Sequence, residues 1–472
     1  MTATEKALAA IDANLDGNIE RLFQLIRIPS ISTDPAYKGD CRKAADWVVA
    51  QLKELGFDAS ARETGGQPMV VGHYGVNGGV NGAGAKAGDG VPHVLFYGHY
   101  DVQPADPIDL WEQPPFEPRL VDTPKGKEIV ARGASDDKGQ FMTFIEACRG
   151  WVDATGGLPI AITVLIEGEE ESGSGSLGPF LDANKDELKT DFALVCDTGM
   201  WDATTPAITT MLRGLLYEEF IVTAANRDLH SGMYGGAAQN PIRVVANIVA
   251  DLHDADGRVQ VPGFYDGVDE LPATLKAQWD GLGFDDKAFL GDVGLSIPAG
   301  EKGRSVLEQI WSRPTCDVNG IIGGYTGDGS KTVIASKASA KVSFRLVGHQ
   351  DPLKIRENFR KFVKERVPAD CEVEFLGHAA SPALQIDMSK PQIAKAADAL
   401  AAEFGKPTVM MGCGGSIPIV GDFKHTLGLD SVLIGFGLDD DKIHSPNEKY
   451  NLSSFHHGTR AWARVIGALA GK

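Results

Sequence analysis

Cysteine is scarce and scattered in this chain. The six present are Cys41, Cys148, Cys196, Cys316, Cys371 and Cys413, and no two form a CxxC pair. Their spacing argues against a disulfide framework or a thiolate zinc site and favours a reducing compartment. Positive charge is also in short supply. Lys and Arg number 45 against 64 Asp and Glu, for a formal net charge of −19. Such a surface repels phosphate backbones and anionic lipid, so neither nucleic acid nor membrane is an expected partner. No apolar run approaches the ~20 residues of a membrane span. The opening stretch MTATEKALAAIDANLDGNIERLFQLIRIPS carries acidic residues throughout. It reads as an amphipathic helix and not as a signal peptide. A cytoplasmic enzyme or binding protein is expected.

What the chain has is length and an ordinary globular composition. At 472 residues, 43% hydrophobic and 23% charged, it exceeds one ordinary core, so two domains are expected. Residues 5–28 show helical periodicity that stops near Pro29, and a second helix over 41–56 ends at Gly56. GVNGGVNGAGAKAGDG, Gly75–Gly90, lacks the glycine order of a phosphate cradle and reads as a hairpin excursion. Beyond it, apolar runs at 94–96, 160–166 and 192–196 alternate with a helix over 138–152. This is the pattern of an α/β domain with a mostly parallel central sheet flanked by helices.

The pattern changes near Thr209. An alternating strand at 215–224, a helix at 241–253, a long irregular stretch, then strand 339–347, helix 352–365 and strand 371–377 point to an inserted α+β layer. A helix at 391–404, a strand at 431–435 and a last helix from Ser453 return to the first style. The expected organisation is a discontinuous domain, 1–207 and 384–472, interrupted by a second domain at 208–383.

The most informative stretch is LFYGHYDVQP, Leu95–Pro104. A buried strand runs out at His99, and Asp101 follows two residues later. Alternate residues of an extended chain share a face, so the Asp101 carboxylate can hold one ring nitrogen of His99 and free the other for a metal. A core histidine beside a helix-capping Asp fits the same letters. Four further segments deliver ligand-type side chains at strand ends, where functional groups collect in such sheets. They supply Asp136 and Asp137; Glu167, Glu169, Glu170 and Glu171; Asp197; and His444. Asp136 and Asp137 also fit a helix N-terminus, and the Glu run a solvated loop. Taken together, carboxylates and two histidines without thiols suit zinc, manganese or cobalt. A pair of such metals needs one bridging carboxylate. It can hold a bridging hydroxide against a polarised carbonyl, which amide hydrolysis requires, with a further carboxylate to carry the proton.

YGHYDVQP, RGASDDKG, EEESGSGS, VCDTG, DLHSGMYGG, GGSIP and IHSPNEKYN, in that order between about Tyr97 and Tyr450, resemble the M20 family of metallopeptidases. The nearest likeness is to its carnosinase-like cytosolic dipeptidases. The resemblance implies two divalent metal ions per subunit, zinc first, with manganese or cobalt as alternatives. It implies His99 and Asp197 on one metal, Glu171 and His444 on the other, and Asp136 bridging. Glu170 is implied as general base and Asp101 as orienter of His99, while Glu167 and Glu169 do not carry over.

The inserted layer is implied to be a lid and dimerisation domain. Its His230 would reach the active site of the partner in a homodimer. Arg345, Gly415 and Ser416, with Thr332 as a neighbour, match positions around the terminal carboxylate of a small peptide substrate. Animal relatives carry an Arg-Glu pair before GlyGlySer, where this chain has Gly412 and Cys413. The expected activity is dipeptide hydrolysis. The alternatives are an M20 deacylase acting on N-acyl or N-succinyl amino acids, and a non-catalytic binding protein on the same scaffold. Asp197 resembles the peptidase branches, since acylase-like branches tend to carry Glu there. The presence of every ligand and of the base argues against a retired site.

Overall fold

The computed structural model describes residues 1–76, 90–415 and 417–472. The chain divides into two compact units. One comprises Met1–Thr210, Ile386–Met411 and Ile419–Lys472; the other comprises Met211–Gln385 and Gly412–Pro418. The Gly75–Gly90 excursion falls almost wholly outside the described residues.

The first unit is built on strand His93–His99. It pairs in parallel with Ala161–Glu167 on one side and Phe192–Val195 on the other. Ser431–Leu433 continues the parallel set beside Phe192–Val195. Antiparallel partners flank it: Met69–Tyr74 and Asp58–Arg62 at one edge, and Ala207–Leu212 towards the other. All seven residues of Ala161–Glu167 are buried, as expected for a strand covered on both faces. Helices Lys138–Thr155 and Leu452–Leu469 belong to the same core. Phe96 stacks on Phe144 with centroids 3.7 Å apart, and Trp462 meets both rings edge-on. Trp151 satisfies its buried indole N–H on the Ala463 carbonyl at 3.0 Å.

Two local expectations need correction. The single helix over 5–28 is two, Ala3–Ala13 and Leu15–Ile26, broken at Asn14. The Asn14 side chain lies where a Cβ at Gly17 would stand, 2.4 Å from its Oδ1. Asn prefers such local arrangements to helix interiors. The loop before Gly133 holds an antiparallel hairpin, Arg119–Thr123 with Gly126–Val130. Lys449–Asn451 joins it as a third strand, and this small sheet carries chain into the site from both sides.

The second unit runs strand, helix, strand, strand, helix, strand. Its antiparallel sheet has the order Thr315–Gly323, Lys337–Leu346, Gly214–Thr223, Glu372–Ser381. Helices Pro241–Ala250 and Pro352–Lys364 pack Val245, Ile355 and Phe359 against Phe220 and Phe344. The stretch read as irregular contains the edge strand Thr315–Gly323 and three short helices, Ala273–Asp280, Asp286–Asp292 and Val306–Trp311. Among the described residues, no helix is long and apolar enough to cross a membrane.

Candidate metal centre

The parallel strands of the first unit deliver their carboxyl ends to one place. His99 ends its strand fully buried. Gly98 lets that strand approach helix Lys138–Thr155: a Cβ there would stand 2.7 Å from Asp137 Oδ2 and from Phe141 Cβ. In the space left, Asp137 accepts the His99 backbone N–H at 3.0 Å. The His99 Nδ1 faces the Asp101 carbonyl oxygen at 3.1 Å and its carboxylate Oδ1 at 3.3 Å. Nε2 is thereby turned towards Asp136 Oδ1 at 3.1 Å and Asp197 Oδ2 at 3.9 Å. Asp101 Oδ2 also accepts the Glu171 backbone N–H at 3.1 Å, so one carboxylate fixes both a ring and the acidic turn.

The other oxygen of Asp136 serves a second histidine. His444 Nε2 lies 2.9 Å from Asp136 Oδ2 and 3.3 Å from Glu171 Oε2. Gln103 holds that same Glu171 oxygen at 2.7 Å. Two clusters result, His99–Asp136–Asp197 and Asp136–Glu171–His444, each with ligand atoms within 4.8 Å of one another. Asp136 belongs to both.

The electrostatics of the two clusters favour a cation. Burial, and then the Asp136 charge, push the Asp197 carboxyl up to about 8. Burial would lower His99, yet its hydrogen bonds to Asp101 and Asp136 raise it well above the ordinary range. Hydrogen bonds to Asp136 and Glu171 lift His444 to about 10. Burial would raise Asp136, but its hydrogen bonds to the two histidines hold it well below the usual carboxylate range. Buried Glu171 Oε1 has no hydrogen-bond partner. The donor set of imidazole and carboxylate fits a divalent metal.

The remaining acids of the run have separate tasks. Glu167 is fully buried and accepts the Tyr97 hydroxyl. Glu169 accepts the backbone N–H groups of Gln67 at 2.8 Å and Ser176 at 2.9 Å, which shapes the turn. Glu170 belongs to neither cluster. Burial first, then Glu171, Asp136 and Asp101, raise its carboxyl above its ordinary value against the pull of His99.

The other expected residues lie in the second unit. His230 is exposed at the start of a short helix, where Nδ1 accepts the Gly232 N–H at 3.0 Å. Thr332 is beside it, its carbonyl accepting the Ser231 N–H at 3.1 Å. Arg345 sits on strand Lys337–Leu346 opposite Thr315 and Leu215. Gly415 accepts the Arg213 backbone N–H at 3.2 Å. Ser416 lies outside the described residues. Trp311 fills the space beside Gly412: a Cβ there would stand 2.5 Å from the Trp311 Cβ. Sequence reasoning missed two residues of these groups. Gln103 stands in the same opening stretch as His99, two places after Asp101, and Arg213 immediately precedes strand Gly214–Thr223.

This donor set supports hydrolysis assisted by divalent metal. Residues 95–468 match the model of peptidase family M20/M25/M40, and the chain belongs to that family. It is a metallopeptidase. The Cys-Gly metallodipeptidase of Schizosaccharomyces pombe is 30% identical over 99% of this chain and 98% of that protein. Among solved structures, an M20 family metallo-carboxypeptidase from Sulfolobus solfataricus is 28% identical with a TM-score of 0.78, covering 96% of this chain and 99% of that one. Human carnosine dipeptidase 1 is 26% identical with a TM-score of 0.76, covering 100% of each.

Proposed function

We propose that the chain is a dipeptidase that works with two divalent metal ions, and that it cleaves dipeptides with a free C-terminal carboxylate. The observation that carries this reading is the division of Asp136, one oxygen towards His99 and the other towards His444. His99 and Asp197 would hold one metal, Glu171 and His444 the other, and Asp136 both. The bound metals supply a Lewis acid for the scissile carbonyl and lower the pKa of the attacking water. Zinc suits the donors best, with manganese or cobalt as substitutes.

The protein supplies the rest. Asp101 holds Nδ1 of His99 and leaves Nε2 for the metal. Glu170 takes a proton from the attacking water and returns it to the leaving amine as the C–N bond breaks. Its upward shift by burial suits a group that must both accept and release that proton. Arg345, Gly415, Ser416 and Thr332 would receive the substrate carboxylate.

The second unit would act as lid and dimerisation domain in a homodimer, with His230 completing the partner's site. Its edge strand supports this. Ile321 and Ile322 are more than half exposed on Thr315–Gly323, an unpaired backbone edge suited to a second copy. The metallo-carboxypeptidase relative supports a second reading in which longer peptides lose their C-terminal residue. The test is to assay the metal-loaded protein against parallel panels of dipeptides, tripeptides, longer peptides and N-acyl amino acids. Dipeptide preference is expected. Equal cleavage of longer peptides would favour the carboxypeptidase, and exclusive cleavage of N-acyl amino acids the deacylase.

A further inference from the structure

Glu448 has no part in the chemistry above, yet among the described residues no side chain of the first unit gathers more of the site's backbone. It is fully buried, four residues after His444 and next to strand Lys449–Asn451. Its carboxylate accepts four N–H groups. Oε1 takes those of Ser135 at 2.8 Å and Asp136 at 3.1 Å. Oε2 takes that of Gly133 at 2.9 Å and the Arg132 guanidinium at 2.7 Å. The loop 132–136 is thus wrapped around one carboxylate that comes from more than 300 positions along the chain. Its backbone carbonyl accepts the Ala131 N–H at 3.1 Å, so main chain and side chain grip the same loop.

The segment on the other side of this grip is under conformational demand. Lys442, His444 and Asn447 are non-glycine residues at φ of 56°, 61° and 59°, and such backbones persist only where the surroundings over-determine them. Asp136 must aim one oxygen at each histidine, so a displacement of its backbone would disturb both clusters at once. The carboxylate that receives the Asp136 N–H also ends the segment carrying His444.

We propose that Glu448 is the positioning residue of the metal centre, holding Asp136 and His444 in the mutual geometry that a bridged metal pair needs. The proposal rests on the metal reading of the site and does not depend on which peptide is cleaved. Glu448→Gln is the direct test. The amide keeps the size but turns an NH2 group on backbone donors, so at least one N–H in the loop loses its acceptor. Outer groups that orient ligands typically contribute 10–100-fold to metal affinity, and a loss of that size is expected for Mn(II) measured by equilibrium dialysis on the full chain. The visible bands of the Co(II)-loaded protein, which report coordination geometry, should change as well.

Ser135→Ala is the comparison. It cuts another tie between the same segments, the Ser135 hydroxyl on Asp441 at 2.7 Å, but leaves the Glu448 grip intact. It should stay within about threefold of wild-type metal affinity, well below that 10–100-fold, with its Co(II) bands unchanged. If Glu448→Gln fails to fold by circular dichroism, Glu448→Asp keeps the charge for Arg132 and falls one methylene short of the loop. It too should bind Mn(II) more weakly. Wild-type affinity and Co(II) bands in either folded Glu448 variant, or equal losses in Glu448→Gln and Ser135→Ala, would overturn the proposal. A wild-type protein that binds metal but cleaves no dipeptide would overturn the proposed function and leave this comparison standing.

Discussion

Arg213 and Arg345 stand close enough that the Arg345 charge, after burial, pulls the Arg213 guanidinium down to about 10. Arg213 spends Nε on the Gly414 carbonyl at 3.0 Å. Among the described residues neither guanidinium is within ion-pair distance of a carboxylate. Asp317 acts on Arg213 from beyond ion-pair distance, and under the proposed function the two cations would receive the substrate carboxylate. A guanidinium meets a carboxylate in a forked, charge-assisted pair that fixes distance as well as charge. Losing one partner of such a buried pair costs about 2–5 kcal/mol. Dipeptide amides should therefore be cleaved roughly 30- to several-thousand-fold less efficiently than free dipeptides, at tenfold per ~1.4 kcal/mol. In Arg345→Ala that preference should mostly vanish, as read from kcat/KM for each pair. A mutant that keeps the full preference would remove Arg345 from the carboxylate site.

The acidic turn separates proton transfer from metal binding. Glu170→Gln should lower kcat by about 10²–10⁴-fold, the usual share of general-base catalysis, and leave metal content nearly unchanged. Glu171→Gln should instead reduce metal occupancy, measured by elemental analysis after dialysis. The reverse pattern would exchange the two roles.

Metal removal should reverse the pH dependence of stability. In the metal-free protein, burial raises Asp197 to about 8 and Glu167 and Glu448 to about 7. Their ordinary values are 3.8 and 4.5. Between pH 5 and 7 the native state keeps protons that the unfolded chain has released, so stability falls as pH rises. His99 and His444, raised from 6.5, add the same sign near the top of this window. His93 and His456, lowered by burial, and Lys138, lowered by burial to about 7, oppose it but are outnumbered. The Tm of chelated protein should decrease from pH 5 to 7. With Zn(II) or Mn(II) present it should increase, because metal binding needs deprotonated ligands. Parallel downward slopes with and without metal would mean that the ion does not occupy these groups.

A shared site can be read by complementation. His230→Ala should be nearly inactive while retaining metal and fold. Mixed with inactive Glu170→Gln, it should form heterodimers in which one site lacks both residues and the other is intact. Partial recovery of activity is expected once subunit exchange has been demonstrated. No recovery in proven heterodimers would assign His230 to its own subunit or to no site.

The central strands are legible because Val94–Gly98 and Ala161–Ile166 are mostly apolar runs, the second interrupted only by Thr163, that end on polar ligand types. The hairpin Arg119–Val130 is not, since its strands are short, partly exposed and interspersed with charged residues. The edge strand Thr315–Gly323 hides behind a bulge near Gly320 and exposed residues on both faces. Spacing alone could not divide the four glutamates at 167–171, and the family resemblance was needed to choose among them. Glu167 and Glu169 prove to be occupied by Tyr97 and by two backbone N–H groups. Arg213 and Glu448 leave no local signal at all. Their partners are backbone groups some 200 and 300 positions away, and no periodicity encodes such a pairing.

The close approach of Trp311 to Gly412 ties the identities of two distant positions together. A Cβ at 412 would stand 2.5 Å from the Trp311 Cβ and 3.3 Å from its Cα, so an arginine introduced there alone would be an overpacking mutation, costing about 1–3 kcal/mol or more. The clash is with the first atoms of residue 311, which any side chain there retains, so homologues with a long residue at 412 should carry glycine at 311 or a displaced backbone. A protein engineer placing a long side chain at 412 must therefore move the backbone at 311 as well, since trimming the tryptophan alone would open a cavity without clearing the space that the new residue needs.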